Sequence, residues 1–71
     1  MTTPILSPRQ LDILRLSEAG LTRREIGEEL DITFKAVNFH GARAARRLGV
    51  TGRIDAVAEA RRLGLLPGGD A

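Results

Sequence analysis

Apolar residues recur three and four positions apart through most of this chain, with polar residues between them, and this period predicts helices rather than strands. The punctuation divides the pattern into four. Ser7-Pro8 is a helix start, a hydroxyl cap followed by a proline where its missing N–H costs nothing, and Leu11, Ile13 and Leu14 give the helix an apolar side to about Ala19. Gly20 stops it. Thr22 and Glu25 have capping-box spacing and open a second helix, about 23–30, whose Ile26 and Leu30 face the core, with Gly27 between them for close approach of a neighbour. Asp31-Ile32-Thr33 is a tight connection in which Ile32 plugs the core and Thr33 caps a long third helix ending near Leu48. Gly49 terminates that helix and Val50 anchors the linker. Thr51-Gly52 leads into a fourth helix, about 53–63, closed by Gly64, with Leu65 and Leu66 folding back. A short helix, a brief turn and a long helix make a helix-turn-helix. The expected organisation is a short lead over 1–5, one all-α domain over 6–66 and a flexible tail over 67–71.

The third helix has two unlike sides. At about 100° per residue, Val37, Gly41, Ala44 and Leu48 fall on one stripe, and Lys35, Asn38, Phe39, Ala42 and Arg46 fall on the opposite one. The outward stripe offers an amide, cations, an aromatic ring and a methyl, groups able to read base edges in a DNA major groove; Asn38 is expected to read adenine through paired hydrogen bonds. Arg43 and Arg47 lie to the side, placed for phosphates. A basic helix face is commonly just solvated. Solvated helices, however, alternate charge signs to gain i,i+4 pairs, and this one forgoes every such pair.

Charge sharpens the reading only when resolved by segment. Net charge is +2, yet residues 32–53 hold five cations and no carboxylate, while residues 1–31 hold four Arg against six carboxylates and residues 54–71 two Arg against three. Ten of the eleven cations are Arg, suited to planar, bidentate contact with phosphate and guanine. Seventy-one residues permit one small core, which a second copy would help to stabilise. The chain has no cysteine, and no apolar run approaches the ~20 residues of a membrane span, so the reading is a cytoplasmic protein. One histidine, His40, with no partner a turn away, no cysteine and no carboxylates grouped with a base or nucleophile leave no enzymatic, metal or cofactor site to propose.

Leu6-Ser7-Pro8-Arg9, Gly20-Leu21-Thr22, Glu25-Ile26, Leu30, Ile32, Val37-Asn38-Phe39-His40 and Arg47-Leu48-Gly49-Val50 together resemble the LuxR/GerE-type DNA-binding domain of bacterial transcription regulators. The match is ungapped over roughly residues 6–66 and continues through Arg53, Ala56-Val57-Ala58 and Leu63-Gly64-Leu65. The resemblance implies a four-helix LuxR/GerE-like bundle whose third helix enters the major groove and whose fourth helix pairs across a two-fold axis. It implies base contacts at Asn38 and Phe39 with Lys35 and Ala42 beside them. Thr22, Thr33, Arg43, Arg46 and Arg47 are expected on phosphates. The chain departs from the family's habit at Gln10, where Glu is usual, at Ala36, where Thr is favoured, and at Gly41, a mid-helix glycine costing ~1 kcal/mol relative to Ala. Most members attach this domain to a receiver or ligand-sensing domain, so both a free-standing regulator and a domain of a longer one are open, with Met1 favouring the former.

The fourth helix carries two apolar stripes, Ile54, Val57, Ala58, Arg61 and Leu65 on one and Ala56, Ala60 and Leu63 on the other. The first stripe is the expected interface of a weak homodimer. The leading expectation is therefore a sequence-specific, double-stranded-DNA-binding regulator acting at the bacterial nucleoid. The rival is an interaction module gripping RNA polymerase or another regulator through the acidic side of the first two helices, where Glu18, Glu25, Glu28, Glu29 and Asp31 cluster. A third reading is architectural binding to any duplex.

Overall fold

The computed structural model describes residues 4–66, so the expected tail over 67–71 and the first three residues of the lead lie outside the described residues. Four helices follow in chain order: α1 (Pro8–Glu18), α2 (Arg23–Leu30), α3 (Phe34–Leu48) and α4 (Arg53–Arg62). There is no strand among the described residues.

Side-chain caps begin the first three. Ser7 Oγ accepts from the Gln10 N–H at 3.1 Å, and Gln10 Oε1 accepts from the Ser7 N–H at 2.9 Å. Gln10 is thus half of a reciprocal box, and it is buried. A neutral amide at this position completes the cap without burying a charge. Thr22 and Glu25 repeat the box at α2, with bonds of 3.2 and 2.8 Å. Thr33 Oγ1 accepts from the Ala36 N–H at 3.0 Å and starts α3. α4 differs, because its cap is Gly52, which offers no side-chain acceptor.

The α2–α3 turn fixes the relation between those two helices. Asp31 takes a left-handed conformation at φ 57°, the one non-glycine among the described residues with positive φ, and the Ile32 N–H then donates to the Gly27 carbonyl at 2.9 Å. This folds the chain tightly back over Gly27.

Two apolar clusters share α1 and α3. Ile13, Leu16, Ile26 and Val37 join α1, α2 and α3, with Leu21, Leu30 and Ile32 packed around them. Leu6, Leu14, Ala44, Ala45, Leu48, Ala56, Val57, Ala60 and Leu66 join α1, α3 and α4. Four alanines in the second cluster let α3 and α4 lie close. Ile13, Leu14, Ile26 and Val37 are wholly enclosed, each contributing about 1.5–3 kcal/mol of apolar burial. α3 packs against all three other helices and is held rigidly between them.

Two helical glycines in α2 and α3 do opposite things. A Cβ at Gly27 would stand 2.9 Å from the Ile32 carbonyl oxygen, a backbone atom that cannot move without opening the turn. The close neighbour anticipated from the sequence is therefore the turn itself, together with Val37 of α3 at 3.5 Å. At Gly41 a Cβ would meet only Arg53 Cδ and Ile13 Cγ2, both at 3.9 Å, so its missing side chain serves no packing need. Gly41→Ala should raise stability by about 0.5–1 kcal/mol, whereas Gly27→Ala should lower it by about 1–3 kcal/mol despite the better helix former. Urea melts of the two variants check the opposed signs.

Candidate nucleic-acid interface

α3 is buried along Val37, Gly41, Ala44, Ala45 and Leu48. Lys35, Phe39, Ala42, Arg43, Arg46 and Arg47 are exposed on its other side, with Asn38 half-buried at the margin. Phe39 leaves 56% of its surface in solvent, and Phe34, at the start of the helix, leaves 51%. The Arg43 guanidinium lies over the Phe39 ring, 5.5 Å from its centroid, and the His40 ring meets it edge-on at 5.5 Å. Arg23 of α2 similarly lies 5.4 Å from the Phe34 centroid. Each ring thus carries a cation on its face.

The ion pairs are partitioned in space. Asp12 serves Arg9 and Arg15, Glu18 serves Arg61 at 2.7 Å, and Glu59 serves Arg62. Among the described residues no carboxylate pairs with Lys35, Arg43, Arg46 or Arg47. Arg43, Arg46 and Arg47 line a shallow cleft of about 280 Å³. A second groove of about 470 Å³ runs between α3 and the start of α4, with Arg23, Asn38, Ala42, Arg46, Gly52 and Arg53 on its walls. Arg23, Arg46 and Arg53 thus line one groove beside the start of α4, whose Gly52 cap offers no side-chain acceptor. Arg53 donates to Ser17 Oγ at 2.6 Å. Burial, and after it repulsion from Arg23, lowers the Arg53 guanidinium from its ordinary value. Crowding like charges in this way is costly unless an anion arrives.

The residues expected on bases, Lys35, Asn38, Phe39 and Ala42, share one side of α3; of those expected on phosphates, Arg46 lies on that same side and Arg43 and Arg47 lie beside it. Thr22 and Thr33 are exposed at the amino ends of α2 and α3; their oxygens accept the capping bonds, which leaves each hydroxyl proton for an acceptor outside. The stripe assigned to α4 divides. Ile54 is 71% exposed and Ala58 is exposed, but Val57 is buried in the domain's own core, Leu65 is half-buried against it, and Arg61 is tied to Glu18. Reading the stripe from period alone failed to separate Val57 from Ile54, because α1 and α3 close over one edge of it. Sequence reasoning also missed Arg23, Phe34 and Arg53. Phe34 was not legible, since Leu30 four positions before it and Val37 three after it are apolar and belong to the core, so the period gives no sign that its ring is exposed. No cluster of three metal-ligating side chains occurs among the described residues.

A two-turn helix, a left-handed turn and a longer helix with unpaired cations define a helix-turn-helix DNA-binding domain. The chain belongs to the luxR family of bacterial regulatory proteins, whose GerE model matches residues 4–60. It is similar to the spore germination protein GerE of Bacillus subtilis, 40% identical over 63 residues that make up 89% of this chain and 85% of that one. It is 44% identical over 61 residues to the quorum-sensing-dependent transcriptional regulator RpaR of Rhodopseudomonas palustris, matching 86% of this chain and 25% of that one. The chain thus spans about a quarter of RpaR, and its match to the transcriptional regulator AlkS of Alcanivorax borkumensis covers 8% of that protein. A solved structure of the transcription factor GerE superposes with a TM-score of 0.80 at 34% identity, over 86% of this chain and 91% of that one. The described residues therefore form a DNA-binding domain of the LuxR/GerE type found in transcriptional regulators. No described helix is long and apolar enough to cross a membrane.

Each arginine that meets a phosphate releases about one counterion, so Arg46→Ala and Arg47→Ala should each flatten the dependence of log K on log salt by about 0.9. Fluorescence anisotropy of a labelled duplex between low and moderate salt measures this. Arg62→Ala, whose partner is Glu59, should leave the slope unchanged.

Proposed function

We propose that this domain is a sequence-specific regulator that lays α3 in the major groove of double-stranded DNA. One observation carries the reading: the cations of α3 have no carboxylate partner in the described structure, and they flank a bare aromatic ring and an amide on the side turned away from the core. In this reading Lys35, Asn38, Phe39 and Ala42 approach base edges. Phe39 and the Ala42 methyl suit the thymine methyl group, and the amide and ammonium suit hydrogen-bonding edges. Arg43, Arg46 and Arg47 hold phosphates from α3, and the Thr22 and Thr33 hydroxyls do so from two helix amino ends, where the backbone also favours anions.

Two copies act together on this proposal, paired through the exposed part of α4 at Ile54 and Ala58, with Arg61 at the edge and Val57 and Leu65 supporting from beneath. A weak homodimer reads half-sites about 10 bp apart. The setting is the bacterial cytoplasm, on the nucleoid. A contact with RNA polymerase or another regulator belongs to the same picture. Glu25 is occupied in the α2 cap and Glu18 in a salt bridge, which leaves exposed Glu28, Glu29 and Asp31 as the acidic surface for it.

In vitro selection from random duplexes tests the proposal, which expects an enriched site with dyad symmetry that outcompetes random DNA. Combined Asn38→Ala and Arg46→Ala substitution should abolish the gel shift on that site without lowering the melting temperature. Selection of no site, or full binding by the double variant, contradicts it. Ile54→Asp should reduce cooperative occupation of paired half-sites while a single half-site binds as before, because Ile54 has little of its surface in the core.

A further inference from the structure

Arg23 and Asn38 are 15 residues apart, on α2 and α3, yet an Arg23 terminal nitrogen donates to Asn38 Oδ1 at 2.8 Å. The assignment of the amide is dictated by its partner. A guanidinium has five donors and no acceptor, so only the oxygen of the carboxamide can face it. Arg23 is itself held in place from a second side by the Phe34 ring. Its charge is unpaired among the described residues, and it lines the same groove as Asn38.

This contact changes what Asn38 can read. An unengaged asparagine recognises adenine by giving Nδ2–H to N7 and accepting N6–H at Oδ1. Here the accepting half of that pair is already engaged by a cation. A second donor brought to Oδ1, such as the adenine N6 amino group, meets the positive charge of Arg23 close behind the oxygen. The same charge draws electron density toward Oδ1 and makes the two Nδ2 protons better donors. Guanine presents two acceptors, N7 and O6, on its major-groove edge, and nothing there needs an acceptor from the protein.

We infer that Arg23 is a positioning residue that sets the base preference of Asn38, turning it from adenine toward guanine. This rests on the proposal that α3 enters the major groove. Arg23 need touch no base to exert the effect, and it acts through the direction and polarity of one hydrogen bond.

The test is selection of bound duplexes by four proteins: the unaltered chain, Asn38→Ala, Arg23→Ala and Arg24→Ala. Asn38→Ala identifies the base pair read by residue 38, as the position at which discrimination disappears. At that position the unaltered protein should prefer guanine over adenine by roughly tenfold. Arg23→Ala should erase or invert that preference while the other positions keep theirs, and the Asn38 side-chain NH₂ resonances should move in the free protein. Arg24→Ala removes an exposed charge one residue away; it should weaken binding to all sequences and leave the preference intact. Thermal melts establish that the variants remain folded. Adenine at this position for the unaltered protein, or guanine retained by Arg23→Ala, overturns the inference while leaving groove binding in place. Selection of no sequence by the unaltered protein removes the groove reading and this inference with it.

Discussion

Uncompensated positive charge on a rigid helix is the constraint from which the rest of this domain follows. Bringing like charges together costs free energy, and most small helical domains relieve it by interleaving carboxylates along the same face. Here the acidic residues lie elsewhere. Asp12, Glu18 and Glu59 neutralise arginines of α1 and α4, Glu18 and Arg61 knit those two helices together, and the α3 cations are left with no carboxylate among the described residues. Such an arrangement persists because the opposite side of α3 is locked into two apolar clusters by α1, α2 and α4. Packing supplies the stability that the charged side gives up.

The same division explains which small residues occur where. Ala44, Ala45, Ala56 and Ala60 draw α3 and α4 together in one cluster, and Gly27 lets the α2–α3 turn fold back on its own helix. With the turn closed by Asp31 and Ile32, the angle between α2 and α3 is set by backbone geometry rather than by flexible side chains. A groove reader benefits directly, since groups held in place before binding lose less entropy when bound. Arg23 on α2 and Arg53 on α4 reach α3's groove from fixed neighbours, so the basic surface is wider than the one helix that names it.

Local signals made the helix boundaries legible. Ser7-Pro8, the Thr22–Glu25 box, Thr33, Gly20, Gly49 and Gly64 each act over a few residues, and the elements begin and end at or beside them. The two sides of α3 were equally readable, because burial there follows helical period. What the sequence concealed depends on contacts across the fold. Gln10 looked like the loss of a charge and is a buried cap. Arg23 and Asn38 meet over 15 residues, and Arg53 and Ser17 over 36, distances at which no periodicity carries information. Val57 and Ile54 share a stripe by angle, but only the packed helices reveal that one is enclosed and the other bare. Assignment to the luxR family accounts for the fold. It does not specify which side chains on α3 are occupied by neighbours before DNA arrives.

The most direct measurement is an NMR titration of isotopically labelled protein with a duplex. Resonances of Lys35, Asn38, Phe39, Ala42, Arg43 and Arg46 should shift most, with smaller changes at the Thr22 and Thr33 amides and little at Ile13 or Leu14 in the core. Shifts confined to Glu28, Glu29 and the acidic side of α2, or an α3 whose resonances stay fixed as DNA is added, would contradict the account.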